Sequence, residues 1–275
     1  MESTCNHDCG SCGSSGNCAT QDAEKEARVL ANTKGVKKVI GVVGGKGGVG
    51  KSLITSLMAI QTQRLGYRAA ILDADITGPS VPKIFGITKF AEADGNSLIP
   101  HTTEKGTKIM SMNMLLENDT DPVLWRGPVI SGVVKQFWED VQWGDVDFLF
   151  VDMPPGTGDV PMTVFQSLPV DGILIVSTPQ SLVSMIVKKA MKMAEMMNVP
   201  VLGMVENMRF LKCPDCGREI PLFGGDEAVD STAVMVLERI PLDPSVAAAC
   251  DAGTLESLDT DYLAQTAKVI TEALS

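Results

Sequence analysis

KVIGVVGGKGGVGKS, residues 38–52, decides the fold. Its first half is a short, continuously apolar run ending in glycine, as expected of a strand buried on both faces. Its second half spells G-x-x-x-x-G-K-S, with Gly45, Gly50, Lys51 and Ser52 in the fixed places. Residues 51–65 then read as a helix closed by Gly66. In that strand-loop-helix setting, glycines let the backbone wrap a phosphate, so that successive N–H groups and the helix N-terminus point at it. The segment Gly45, Lys46, Gly47, Gly48, Val49, Gly50, Lys51 and Ser52 is therefore expected to cradle ATP. Lys51 neutralises the β and γ phosphates, and the Ser52 hydroxyl ligates Mg²⁺.

Apolar runs recur at 69–75 (AAILDAD), 147–152 (DFLFVD), 172–177 (GILIVS), 201–207 (VLGMVEN) and 235–240 (MVLERI). Helical stretches at 128–143, 181–198 and 259–274 lie among and after them. The alternation predicts an α/β fold, a doubly wound and mostly parallel sheet with helices on both faces. This P-loop ATPase domain is placed at 37–275 and carries an embedded C-x-x-C. Residues 1–36 are read as a Cys-rich metal-binding tail and linker, because the first 18 hold four cysteines and hardly any large apolar side chain.

The chain has 275 residues and a net charge of −11, so its overall field opposes nucleic acid and anionic membrane. No apolar run is long enough to span a bilayer, and the N-terminus resembles neither a signal nor a transit peptide; a cytoplasmic address is expected. With two histidines and no convincing Ser/His/Asp set, hydrolysis by a side-chain nucleophile has no support. The Met-rich stretch at 185–197 and Cys250 both read as core, and His101 has no partner visible in sequence.

Asp73 and Asp75 close the second apolar run and Asp152 the third, where a carboxylate can reach Mg²⁺ directly or through water. Lys46, a second lysine within the loop, gives K-G-G-x-G-K-S, which resembles the deviant P-loop of the MinD, ParA and nitrogenase-iron-protein class. DADITGPS (73–80), WRGP (125–128), VDMPPGTGD (151–159), VENM (205–208), CPDC (213–216) and IPLDP (240–244) further resemble, in order, the landmarks of the Mrp/ApbC family of iron-sulfur cluster scaffold and carrier ATPases. The resemblance implies that Lys46 reaches a dimer partner's nucleotide and that Asp75 positions the attacking water. It also implies that Asp152 belongs to the Mg²⁺-sensing switch and that Asn207 contacts adenine.

Cys213 and Cys216 supply two thiolates, half of what a tetrahedral zinc or a [4Fe-4S] cluster needs. A two-fold homodimer is the economical completion. The family resemblance implies that the pair holds a bridging [4Fe-4S] cluster, destined for apo iron-sulfur proteins. A redox dithiol and a zinc knuckle remain alternatives. Cys5, Cys9, Cys12 and Cys18, spaced C-x3-C-x2-C-x5-C, suffice for a second [4Fe-4S] cluster within one chain, with His7 an alternative ligand. Cys9, Cys12, Cys213 and Cys216 could instead share one zinc.

The expected function is an ATP-hydrolysing [4Fe-4S] carrier, homodimeric or paired with a paralogue. A MinD/ParA-like positioning ATPase, an electron-transfer ATPase resembling the nitrogenase iron protein, and a zinc-stabilised nucleotide sensor are its competitors.

Overall fold

In the computed structural model, strand β1 (Val36–Gly44) lies inside the main sheet. Its side chains alternate between two cores: Val39 and Val43 enter one, Ile40 and Val42 the other. That is why both parities of the run are apolar. The structure describes residues 35–75, 78, 80–88, 90–95, 97–115, 127–156, 159–179, 183–223 and 234–275. The tail reading, including Cys5, Cys9, Cys12 and Cys18, lies outside the described residues.

The remaining strands of the described main sheet are β2 (Ala69–Asp73), β5 (His101–Thr102), β6 (Lys108–Ser111), β7 (Val146–Asp152), β8 (Gly172–Ser177), β9 (Val201–Glu206) and β12 (Val236–Arg239). Their order is β12-β9-β8-β1-β7-β2-β6-β5. All neighbours pair in parallel except β5 with β6. Two hairpins stand apart, β3 (Glu92–Asp94) with β4 (Ser97–Ile99), and β10 (Phe210–Lys212) with β11 (Glu219–Pro221).

Helices α1 (Lys51–Arg64), α2 (Val81–Ile84), α6 (Pro244–Ala252) and α7 (Ala264–Leu274) pack into the core containing Ile40 and Val42. Helices α3 (Gly127–Glu139), α4 (Asp159–Ser167) and α5 (Val183–Met196) cover the other face. Since α1 lies between the sheet and α7, several of its polar side chains, Thr55, Ser56, Gln61 and Thr62 among them, are buried too. Gln61 keeps its amide satisfied by donating to the Thr260 and Tyr262 carbonyls at 2.9 and 3.0 Å.

The main-sheet strands other than β5 run parallel, so their C-terminal ends collect at one edge, where doubly wound sheets bind ligands. β1 ends there in the P-loop, β2 and β7 end in Asp73 and Asp152, and β9 leads into Asn207.

Several boundaries differ from the sequence expectation. β2 stops at Asp73, which leaves Asp75 on the following loop, and β9 stops at Glu206. α3 ends at Glu139, because the chain then turns to lay Val141 and Trp143 into the core, Val141 forming a parallel bridge with Leu98. α7 begins at Ala264 rather than 259. Cys250 is half-buried against the core, where desolvation raises its thiol pKa. In the Met-rich helix, Val187, Ala190 and Met193 are core, while Met196 is exposed.

Candidate functional site

The loop between β1 and α1 turns through left-handed conformations at Gly48 (φ +81°) and Gly50 (φ +83°), which glycine adopts without steric penalty. A Cβ on Gly47 or Gly48 would meet open space, whereas one on Gly50 would collide with the Asn207 carboxamide nitrogen. Lys46 stands exposed on this loop, and Lys51, on the first turn of α1, is 6% exposed.

Lys51 Nζ lies 2.7 Å from Asp152 Oδ1 and 3.4 Å from Asp75 Oδ2. Ser52 Oγ donates to the other Asp152 oxygen, and Thr55 Oγ1 donates to Asp152 Oδ1 at 3.1 Å. Lys51, Ser52, Asp75 and Asp152, distant in sequence, thus form one cluster. Parallel pairing of β2 with β7 sets Asp73 beside Asp152.

Asp73 accepts N–H bonds from Asp75 (3.1 Å) and Val81 (3.3 Å) and the Ser111 hydroxyl at 3.2 Å. It thereby ties both ends of the loop that carries Asp75. Burial, reinforced by the Asp152 charge, pushes the Asp73 carboxyl up to about 8. Burial also raises Asp152, against the pull of the Lys51 ammonium and the Ser52 hydroxyl. Such a cluster favours one retained proton on Asp73, beside the Lys51 ammonium that pairs with Asp152 and Asp75. Sequence reasoning missed Thr55 and Ser111 as members. Thr55 was findable four residues after Lys51 on one helix face, whereas Ser111 is brought in only by the pairing of β6 with β2.

Asn207 is 2% exposed. Its backbone N–H donates to the Ser177 carbonyl (2.8 Å), and its side-chain Nδ2 donates to the Val49 carbonyl inside the P-loop (3.0 Å). Its Oδ1 accepts the Met208 N–H at 3.0 Å.

Beyond Met208 the chain enters the β10–β11 hairpin. Its base is fastened to the segment after β12: Arg209 N–H donates to the Ile240 carbonyl (2.9 Å) and Leu242 N–H to the Phe210 carbonyl (2.8 Å). Cys213 and Cys216 occupy its tip. Cys213 N–H donates to the Arg218 carbonyl and Gly217 N–H to the Cys213 carbonyl, both at 2.9 Å, with Gly217 at φ +71° making the turn. N–H groups of Cys216 and Asp215 face the Cys213 sulfur and, with the Cys216 thiol, lower its pKa. The tip thus presents an exposed Cys216 beside a half-buried, thiolate-favouring Cys213; among the described residues no group of three or more potential metal ligands forms.

Residues 35–275 match the family described as ParA, NUBPL iron-transfer P-loop NTPase. An iron-sulfur cluster carrier protein of Clostridium perfringens is 40% identical, over 94% of this chain and 95% of its own. One from Methanococcus maripaludis is 37% identical over 100% and 98%. Among solved structures, a nucleotide-binding protein from Archaeoglobus fulgidus in complex with ADP is 37% identical, with TM-score 0.77 over 86% of this chain and 95% of that one. The septum site-determining protein MinD of Pyrococcus horikoshii, complexed with Mg-ADP, covers 86% and 96% with TM-score 0.62 at 18% identity, and bears on the fold alone. With residues 35–275 matched, this chain belongs to the NUBPL iron-transfer P-loop NTPase family.

Proposed function

We propose that this protein is an ATP-hydrolysing carrier that binds [4Fe-4S] clusters and passes them to apo iron-sulfur proteins. One observation carries the reading: the strand that ends beneath the P-loop, β9, continues directly into the hairpin that presents Cys213 and Cys216. A positioning ATPase has no use for that thiol pair, and relatives at 37–40% identity over nearly the whole chain are named as carriers.

Gly45, Lys46, Gly47, Gly48, Val49, Gly50, Lys51 and Ser52 form the phosphate cradle. The Ser52 hydroxyl and the Asp152 carboxylate are hard oxygen donors that already share a hydrogen bond, which suits Mg²⁺. When bound, Mg²⁺ screens charge on the β and γ phosphates. Lys51 shifts from its carboxylates to the phosphates, Asp75 orients the attacking water from its loop, and Asn207 borders the base. Lys46, exposed on the loop, acts across a two-fold axis on the second subunit's nucleotide.

The same axis completes the cargo site. Two thiolates from each subunit make the four that a [4Fe-4S] cluster takes. A homodimer is the simplest assembly, and a paralogue bearing the same hairpin could replace one subunit. Residues 1–36 form a separate metal-binding tail whose Cys5, Cys9, Cys12 and Cys18 hold a second cluster, ahead of the ATPase domain at 37–275. We place the protein in the cytoplasm; no described helix is long and apolar enough to cross a membrane.

The test is anaerobic reconstitution with iron and sulfide of the wild type and of a Cys213→Ala/Cys216→Ala variant, with iron per chain and molar mass recorded. The wild type is expected to hold roughly two irons per chain more than the variant, half of a shared four-iron cluster. Equal iron in both proteins would remove the hairpin from the cargo site and overturn the reading.

A further inference from the structure

The P-loop and the cysteine hairpin are joined by a short hydrogen-bonded route, and Asn207 is its first link. Asn207 Nδ2 donates to the Val49 carbonyl. That carbonyl and the Gly50 N–H belong to one peptide unit, and the described chain contains no cis peptide bonds. In a trans peptide C=O and N–H point to opposite sides, so the unit that Asn207 holds from behind turns its N–H away from Asn207. A phosphate that draws on this N–H fixes the plane of the peptide and, through it, the direction of the Val49 carbonyl. Polarising one end of an amide also strengthens the hydrogen bond at the other.

The packing gives this contact little slack. Asn207 Nδ2 fills the space into which a Cβ on Gly50 would project. The Asn207 side chain is also tied to its own chain through Oδ1 and Met208 N–H, with Met208 at φ +55°. A shift of the Val49 carbonyl must therefore either break the Asn207 bond or move Met208. Movement of Met208 passes to Arg209 and Phe210, which are bonded to Ile240 and Leu242, and then to Cys213 at the hairpin tip. Met208 is strained in the left-handed region, so it is a natural point for the backbone to yield.

We infer that Asn207 is a latch: a positioning residue that transmits the phosphate-bound or phosphate-free state of the Val49–Gly50 peptide to the geometry of the Cys213–Cys216 hairpin. This inference rests on the carrier reading for its biological use. It adds the route by which ATP binding and hydrolysis alter the hold on the cluster.

The test follows thiol geometry directly, without a cluster. Full-length, reduced, metal-free protein is alkylated with iodoacetamide with and without saturating Mg-ADP, and the rates at Cys213, Cys216 and Cys250 are read by peptide mass spectrometry. In the wild type, Mg-ADP is expected to change the Cys213 rate by about fivefold, the low end of ordinary coupling between sites, and to leave the Cys250 rate unchanged. In Asn207→Ala the Cys213 rate becomes insensitive to Mg-ADP at saturation. Asn207→Asp, similar in shape but presenting an oxygen to the Val49 carbonyl, behaves likewise. A wild-type rate indifferent to bound Mg-ADP, or variants that keep the wild-type response, would overturn the latch. So would complete loss of Mg-ADP binding in both variants, which would reduce Asn207 to the base contact already proposed for it, with no relay role. Iron uptake by the same preparations reports separately on the carrier reading: its absence from the Cys213/Cys216 pair defeats that reading whatever the alkylation shows.

Discussion

Removing the Lys51 ammonium changes more than phosphate affinity, because that cation also faces Asp152 and Asp75. Lys51→Ala is expected to lower ATP turnover by a factor of about 100 or more, as loss of a preorganised charge at the transferring phosphoryl group does. It also leaves Asp152, which is 0% exposed, without its partner. Breaking a buried pair from one side costs about 3 kcal/mol, so urea unfolding at pH 7 is expected to show a loss of that order. The loss shrinks as pH falls, because without Lys51 the folded variant's Asp152 takes up a proton that the folded wild type still releases. Asp73 gives a second pH signature. Its carboxyl titrates near 8 in the folded protein against an ordinary 3.8. Between those values the folded state keeps a proton that the unfolded state has released, so this group's contribution to stability falls as pH rises through the window and is level above it. Asp73→Asn removes the titration. The variant should gain on the wild type steadily from pH 4 to pH 8 in urea titrations; parallel stability curves would reject the protonated Asp73.

Elements differ in what holds their ends. α7 is preceded by Leu263, a non-glycine residue at φ +68° whose side chain makes no cap. Its cap comes from the sheet: Glu238 accepts the Leu263 N–H (2.7 Å), the Thr266 N–H (3.2 Å) and the Thr266 hydroxyl (2.7 Å). Glu238→Ala is expected to reduce stability by about 1–2 kcal/mol, the usual effect of losing a cap, with ATP turnover unaltered; a shift under a few tenths of a kcal/mol would show the contact to be incidental. This long-range cap also explains why α7 was placed five residues early in the sequence, since nothing local marks Ala264 as its beginning. β1, β2, β7, β8 and β9 were legible because residues largely buried on both faces form unbroken apolar runs, and the edge strand β12 through the apolar residues at its head. β6 was not, being four residues with Lys108 at its head, and β5 is only two residues long. α6 was missed as a helix although Asp243 caps it through Ser245 N–H and Pro244 opens it, the pattern such a start requires.

Across the whole molecule, the site was legible wherever a motif is contiguous: the P-loop, and the C-x-x-C tip set by a Gly217 turn. Contacts created by strand order were invisible, including the Asp73–Ser111 bond and the Asn207–Val49 bond, whose partners are 38 and 158 residues apart. The proposed dimer adds a further level, because the loop's two lysines face different surroundings. Lys51 is enclosed by its own carboxylates, whereas Lys46 is exposed and so accessible to a second subunit. If Lys46 serves the partner's nucleotide, Lys51→Ala and Lys46→Ala homodimers are both inactive for different reasons. In a mixed dimer, the Lys46→Ala subunit keeps its own Lys51 and receives Lys46 from the Lys51→Ala subunit, which restores one of two sites. Random exchange makes about half of the dimers mixed, so an equimolar mixture should recover about a quarter of wild-type ATP turnover. A mixture that forms hybrids, as seen by native mass spectrometry with one subunit isotopically labelled, yet stays inactive would confine Lys46 to its own subunit's site.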